Sequence, residues 1–159
     1  MKLGKKVEVV WDGPVPDAYR FLPGVDVVKG RPSLAYDAAF IVDCPVLQRI
    51  GRAQRFILKD KPLCVIDHHI SNERFGTVNW IDPQAAAVGE MIYSLFKTLK
   101  VKIDLPEATH LYVSIVTDTG SFRYSNTTEK SHTLASDLIR LGVTPAPIAS
   151  ALYESYSFQ

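Results

Sequence analysis

The sequence predicts an α/β fold in which a mainly parallel sheet is flanked by helices. Two short segments, Ala38–Asp43 and Leu63–Asp67, are almost continuously apolar, which is typical of strands buried on both faces of a parallel sheet. Between them, Pro45–Gln54 carries apolar residues at helical spacing. A strand, a helix and a second strand in this order form the βαβ unit from which such sheets are built.

Helical patterns fill the second half of the chain. Apolar residues there recur at steps that place them on one face of a helix, and prolines and a glycine stand where helices begin and end. The predicted helices are Ala85–Leu99, a segment opened by Pro106, Thr128–Leu141, and a last helix from Pro145 or Pro147 to about Tyr153.

Weaker patterns precede the first confident strand. Val7–Trp11 is β-branched and ends at an Asp-Gly-Pro turn signal, so it predicts a short strand. Pro16–Leu22 predicts a short helix, and Val25–Val28 predicts a second short strand.

Length and composition predict one globular domain over residues 1–159, with 47% hydrophobic and 22% charged residues. A formal net charge of +1 excludes a whole-protein field for gripping long duplex nucleic acid. The sequence has no apolar stretch long enough for a membrane span. Cys44 and Cys64 lack metal-type spacing, so we interpret both as reduced thiols, which favours a cytoplasmic location.

Residues able to do chemistry follow the apolar segments. Asp43 closes the first strand, Asp67-His68-His69 closes the second, and Asp118 follows an apolar stretch in the second half. Ligands of open α/β sheets bind at the carboxyl ends of the strands, and a set of carboxylates and imidazoles suits Mn²⁺, Mg²⁺, Fe or Zn²⁺. Asp43, His68 and Asp118 therefore predict a divalent metal site.

Arg123 lies five residues beyond Asp118 and could meet a substrate phosphate with its planar guanidinium. Taken singly, each candidate also fits an ordinary turn, cap or surface position. His110 and His132 lie in helical segments and are interpreted as surface or structural residues.

Taken together and in order, these residues resemble the DHH phosphoesterase superfamily. Asp43, Asp67-His68-His69 and Asp118-Thr119-Gly120 match its second, third and fourth motifs. Their surroundings are similar to one branch, the bifunctional oligoribonuclease and 3′-phosphoadenosine 5′-phosphate (PAP) phosphatase group. The resemblance covers essentially the whole chain and is carried by Ile66–Asn72, Phe75–Gly76, Asn79–Pro83, Ala85–Glu90 and Thr117–Thr127.

The resemblance implies a hydrolase that uses two divalent metals, usually Mn²⁺ with Mg²⁺ or another divalent ion as alternatives, to attack a phosphate ester. It implies that Asp43 bridges the metals and that His68 and Asp118 hold the second one. His69 would contact the scissile phosphate or aid the leaving group, and Asp67 would orient the histidines. Short RNA or a 3′-phosphorylated nucleotide would be the substrate.

Two parts of the family pattern are not found in the sequence. A first motif of the form His-x-Asn-x-Asp-x-Asp is expected upstream of Lys2–Val10, and a substrate-binding domain is expected after the catalytic one. We therefore expect an incomplete catalytic domain with weak or no hydrolase activity. The alternatives are another DHH hydrolase (a pyrophosphatase, exopolyphosphatase or cyclic dinucleotide phosphodiesterase) and a non-catalytic metal-binding or interaction fragment.

The family's first strand lies between the strands that correspond to Val7–Trp11 and Ala38–Asp43. Without it, Val7–Trp11 should pair directly with Ala38–Asp43, or a second chain should lend a strand. The sequence favours self-association, as a homo-oligomer or strand swap, because unpaired apolar strand edges are templates for pairing.

Overall fold

Three parallel strands form one open sheet in residues 3–154, the part of the chain that the computed structural model describes. The strands are β1 (Ala39–Val42), β2 (Leu63–Asp67) and β3 (Val78–Ile81), in the spatial order β1-β2-β3. The predicted α/β fold and the strands predicted at Ala38–Asp43 and Leu63–Asp67 are thus confirmed. β3 was not predicted, because its residues alternate between exposed and half-buried positions and carry no continuous apolar run.

The segment before β1 differs from the prediction. Val7–Trp11 forms no strand: only Val10 makes an isolated parallel bridge, to Lys29. Val25–Val27 is a 3-10 helix rather than a strand, and the predicted helix over Pro16–Leu22 is reduced to a 3-10 turn at Asp17–Tyr19. Val7–Trp11 has β propensity, but within residues 3–154 this single bridge is its only strand-like pairing, so it joins no sheet.

The connection between β1 and β2 is 3-10 helical over Leu47–Phe56 instead of α-helical. Gly51 breaks it, with φ 57° and ψ −134°. A side chain at this position would collide with the carboxylate of Asp12, which accepts hydrogen bonds from the backbone N–H and Nε of Arg52. A contact with the N-terminal segment therefore overrides the helical spacing of the sequence.

Four α-helices follow, each within or close to a predicted segment: α1 (Val88–Thr98), α2 (Leu105–Asp118), α3 (Glu129–Arg140) and α4 (Pro145–Tyr153). Capping boxes formed by Asp104 with Glu107 and by Thr128 with Ser131 fix the starts of α2 and α3. In residues 3–154, no helix combines the length and apolarity needed to cross a membrane.

The helices pack into the main core of the described chain, centred on Ala108, Ile115 and Leu138, which are fully buried. Gly89 allows α1 and α2 to approach closely, because a Cβ there would lie 2.8 Å from the Ser114 side chain. The Gly89 N–H donates to Ser114 Oγ at this crossing. A second, smaller cluster covers one face of the sheet around Ile41, Leu63 and Val65.

The other face of the sheet is only partly covered. Ile66 packs there against Val88 and Met91 near the start of α1. Its neighbours in register, Val42 and Trp80, are exposed, and so are Phe40 and Val78, which lie in register with Cys64. We call these four residues the exposed sheet face. The outer edge of β1 pairs with no strand of the described residues, so the predicted pairing of Val7–Trp11 with β1 is not formed.

Candidate metal centre

Asp43 lies directly after β1 and marks the edge of the sheet where the site is built. Its backbone N–H donates to the carbonyl oxygen of Ile66 in β2, and its φ of 56° turns the chain away from the strand direction. Because β1 and β2 are parallel, Asp43 emerges beside the Asp67-His68-His69 segment that follows β2.

His68 has one ring nitrogen bound to the backbone and the other directed at two carboxylates. Its Nδ1 lies 3.1 Å from the carbonyl oxygen of Ala85, so Nδ1 must carry the hydrogen. Its Nε2 lies 3.5 Å from Asp43 Oδ1 and 3.8 Å from Asp118 Oδ2. A ring that donates one N–H to a carbonyl and presents the other nitrogen is how metal-binding histidines are oriented in proteins.

Asp118 comes from a different element, the last turn of α2. The next residue, Thr119, is fully buried: its Oγ1 donates to the carbonyl oxygen of Ile115 and accepts from the backbone N–H of Phe122. Gly120, Ser121 and Phe122 then all have positive φ, at 55°, 59° and 64°. Backbone in this sparsely populated region persists only where surrounding contacts impose it, and it concentrates at functional sites.

His69 is held by a buried carboxylate. Asp67 is 0% exposed, and its Oδ1 accepts from His69 Nδ1 at 2.7 Å and from the backbone N–H of His68. Its Oδ2 accepts from Asn72 Nδ2 at 2.6 Å. Burial alone would raise the pKa of Asp67, but the hydrogen bonds from His69 and Asn72 hold that pKa below its usual value. Asp67 therefore stays ionised, and it orients the backbone of His68 and the ring of His69.

The charges around His68 are strongly coupled. The neighbouring Asp43 carboxylate raises the pKa of His68 to about 9. Burial raises the pKa of Asp118 to about 6, and the like charge of Asp43 adds to the effect. His68 and Asp118 thus hold their protons more tightly than usual, and a divalent cation would be stabilised by the negative charge of the carboxylates.

The donor set fits a divalent metal. Asp43, His68 and His69 each offer a ligand atom, and the three atoms lie within 4.8 Å of one another. Asp118 is outside this compact group, but its Oδ2 lies 3.8 Å from His68 Nε2. The structure thus brings the predicted set of Asp43, His68 and Asp118 together, with His69 beside it. Mixed carboxylate and imidazole ligands suit Mn²⁺, Mg²⁺, Fe and Zn²⁺.

The remaining predicted residue, Arg123, lies on the turn after Asp118 and is exposed. Its Nε donates to the carbonyl oxygen of Gly120 at 2.7 Å, so the turn itself anchors the guanidinium. The two other histidines lie elsewhere: His110 binds the carbonyl oxygen of Pro23, and His132 stacks on Phe122.

Sequence reasoning missed two residues that support the site. Asn72 links Asp67 to the carbonyl oxygen of Cys44. Asn126 links the carbonyl oxygens of Ala86 and Asp118. Both asparagines lie inside segments that carry the family resemblance, but nothing in their local pattern separates them from ordinary turn residues.

The chain is similar to curated proteins over most of its length. It is 31% identical over 138 residues to the bifunctional oligoribonuclease and PAP phosphatase NrnA of Bacillus subtilis, covering 85% of this chain and 43% of that protein. It is 32% identical over 161 residues to the NrnA of Thermus thermophilus, covering 94% of this chain and 45% of that protein. The chain thus spans about half the length of these relatives. No protein-family model matches it.

A solved structure confirms the fold. The crystal structure of an exopolyphosphatase-related protein from Bacteroides fragilis matches with a TM-score of 0.88 at 22% sequence identity, covering 98% of this chain and 49% of that one. These relatives support the predicted resemblance to the DHH-family phosphoesterases. Several of the curated proteins that are similar to this chain are named bifunctional oligoribonuclease and PAP phosphatase NrnA.

Proposed function

We propose that this chain is part of a metal-dependent phosphoesterase that hydrolyses short RNA oligonucleotides, PAP, or both. The observation that carries the proposal is the convergence of Asp43 and Asp118 on the unanchored Nε2 of His68. The names of the relatives support the substrate class.

Asp43, His68 and Asp118 would hold the metal. The Ala85 carbonyl fixes the ring of His68, and the ends of β1 and α2 supply the carboxylates. A bound Mn²⁺ or Mg²⁺ would lower the pKa of a coordinated water and neutralise charge on the phosphate. The residues themselves contribute by holding the ligand atoms in place before the metal arrives.

His69 is placed to handle a proton. Asp67 holds its Nδ1, which leaves Nε2 as the ring nitrogen able to exchange a proton with substrate. In its protonated form, His69 would donate to the leaving-group oxygen or hold a phosphate oxygen. Asp67 would stabilise that positive charge through the short Nδ1 contact.

Arg123 would bind a substrate phosphate. Its Nε contact with Gly120 fixes the guanidinium on the same turn that follows Asp118, so its remaining N–H groups would be available to a substrate phosphate. The chain as a whole has a net charge of only +1, which favours a short phosphorylated ligand over a long duplex.

The test is Mn²⁺-dependent hydrolysis of a ribodinucleotide and of PAP by the chain and by two matched variants. His68→Ala removes the predicted ligand, whereas His110→Ala removes a histidine that also binds a backbone carbonyl but lies away from the site. We expect weak Mn²⁺-dependent turnover that His68→Ala abolishes and His110→Ala preserves. Hydrolysis of pyrophosphate or polyphosphate but not of either nucleotide would overturn the substrate assignment.

A further inference from the structure

The amide of Asn126 bridges two backbone segments that carry the predicted metal ligands. Its Nδ2 donates to the carbonyl oxygen of Asp118 at 3.1 Å and to the carbonyl oxygen of Ala86 at 3.0 Å. Both hydrogens of the side-chain NH₂ group are thereby used. Asn126 itself lies eight residues beyond Asp118, after the left-handed turn.

The second of these contacts lies next to the support of His68. The residue before Ala86 is Ala85, whose carbonyl oxygen accepts from His68 Nδ1. Ala85 and Ala86 are both buried, and the Ala86 N–H is bound by Glu90 Oε2 at the start of α1. His68 and Glu90 therefore both hydrogen-bond to the Ala85–Ala86 backbone. Asn126 links this backbone to the end of α2.

The hydrogen bonds of Asn126 also fix which way the amide points. Its Oδ1 is buried and has no partner among the described residues. A reversed amide would place this oxygen against two carbonyl oxygens, so only the observed orientation gives attraction.

We propose that Asn126 is a positioning residue that sets the separation of His68 and Asp118 by linking their backbone supports. The proposal rests on the metal site of the proposed function and adds to it a residue that touches no ligand atom. Outer residues that orient metal ligands commonly change metal affinity by about 10–100-fold when they are removed. Asn126 should act in that range, and on the metal site rather than only on folding.

The matched control is Asn79, a second half-buried asparagine. Its Nδ2 donates to the carbonyl oxygen of Gly76 and its Oδ1 accepts from the Gly76 N–H, so it also makes two hydrogen bonds to backbone. Neither bond touches a segment that supports the site. Each asparagine is changed to alanine and, keeping its shape, to aspartate.

The experiment measures Mn²⁺ affinity by calorimetry and the visible absorption spectrum of the Co²⁺-loaded chain, which reports ligand geometry. We expect Asn126→Ala and Asn126→Asp to weaken Mn²⁺ binding by about 10-fold or more and to alter the Co²⁺ spectrum. Asn79→Ala and Asn79→Asp should leave affinity within about twofold and the spectrum unchanged, since they lack a link to a ligand.

Asn126 variants that bind Mn²⁺ as tightly as the unaltered chain, with the same Co²⁺ spectrum, would overturn the positioning role while leaving the metal site intact. Unfolding of both Asn126 variants, with both Asn79 variants folded, would assign Asn126 to folding and also overturn it. Absence of Mn²⁺ binding to the unaltered chain would instead reject the proposed function itself, together with this addition to it.

Discussion

The Nδ1 atom of His68 lies 3.1 Å from the carbonyl oxygen of Ala85, and this contact determines which ring nitrogen meets Asp43 and Asp118. The Ala85 carbonyl requires a hydrogen on Nδ1, so Nε2 is the nitrogen available to a metal or a proton. The chemistry of the site therefore depends on the backbone carbonyl of Ala85, although the Ala85 side chain takes no part in it.

The metal-free chain should lose stability as the pH rises. The folded-state pKa of His68 is about 9, above its usual 6.5, so its stabilising contribution is present below pH 6.5 and is lost as the pH rises through 9. The pKa of Asp118 is likewise raised, from 3.8 to about 6, so stability also falls between those values. In both cases the folded state binds the proton more tightly than the unfolded state does.

Urea unfolding midpoints at pH 6, 7, 8 and 9, with and without Mn²⁺, check this expectation. Added Mn²⁺ should stabilise the chain more at high pH, because the metal must displace the proton from His68. His68→Ala should flatten the upper part of the metal-free profile. An unchanged profile in that variant would show that another group causes the pH dependence.

Asp67→Asn should destabilise the chain by roughly 1–3 kcal/mol, because the buried carboxylate accepts hydrogen bonds from three donors and an amide cannot. Asp137→Asn is the control: Asp137 accepts from Tyr93 and Arg140 but is partly exposed. Its loss should cost less. Urea unfolding would measure the loss in free energy of unfolding for both variants. Equal losses would contradict the larger structural contribution assigned to Asp67.

Arg123→Ala should weaken binding of PAP by about 10-fold, the scale of one lost charge-assisted phosphate contact, and leave Mn²⁺ affinity unchanged. In turnover assays the Michaelis constant should rise more than the rate constant falls. Arg140→Ala removes an exposed arginine at the end of α3 and serves as the control. PAP binding by Arg123→Ala as tight as that of Arg140→Ala and the unaltered chain would reject a phosphate-binding role for Arg123.

The exposed sheet face should make the chain self-associate. Phe40 is 65% exposed beside Val42, Val78 and Trp80. The outer edge of β1, which pairs with no strand in the described part of the chain, is open to a second copy. Sedimentation velocity over a wide concentration range should show dimers that Phe40→Ser weakens. Val27→Thr, at another exposed valine, should not weaken them. A monomer at every concentration would reject the expectation.

The fold could be predicted from the sequence where burial of an element requires a recognisable pattern of apolar residues. β2 is buried at four of its five positions, so its apolar run gave the strand and its end correctly. β3 alternates in exposure, and Leu47–Phe56 is broken by the contact of Gly51 with Asp12, so neither could be read from local periodicity. Val7–Trp11 had the composition of a strand but found only one bridge.

The candidate ligand residues of the site were predictable from the sequence, but the groups that hold them in place through hydrogen bonds were not. Aspartates and histidines at the ends of strands can be identified from the sequence because polar, chemically reactive side chains directly follow an apolar segment there. The Ala85 carbonyl, Asn72 and Asn126 act through hydrogen bonds between segments that are far apart in sequence. Such partners are defined only by the folded chain, and no spacing rule identifies them.

Calorimetric titration of Mn²⁺ into the chain tests the central claim most directly. The account predicts saturable binding that His68→Ala reduces by at least about 10-fold, with smaller or similar losses for Asp43→Asn and Asp118→Asn, and no change for His110→Ala. Binding that persists unaltered in His68→Ala, or no binding by the unaltered chain, would contradict a metal centre at these residues.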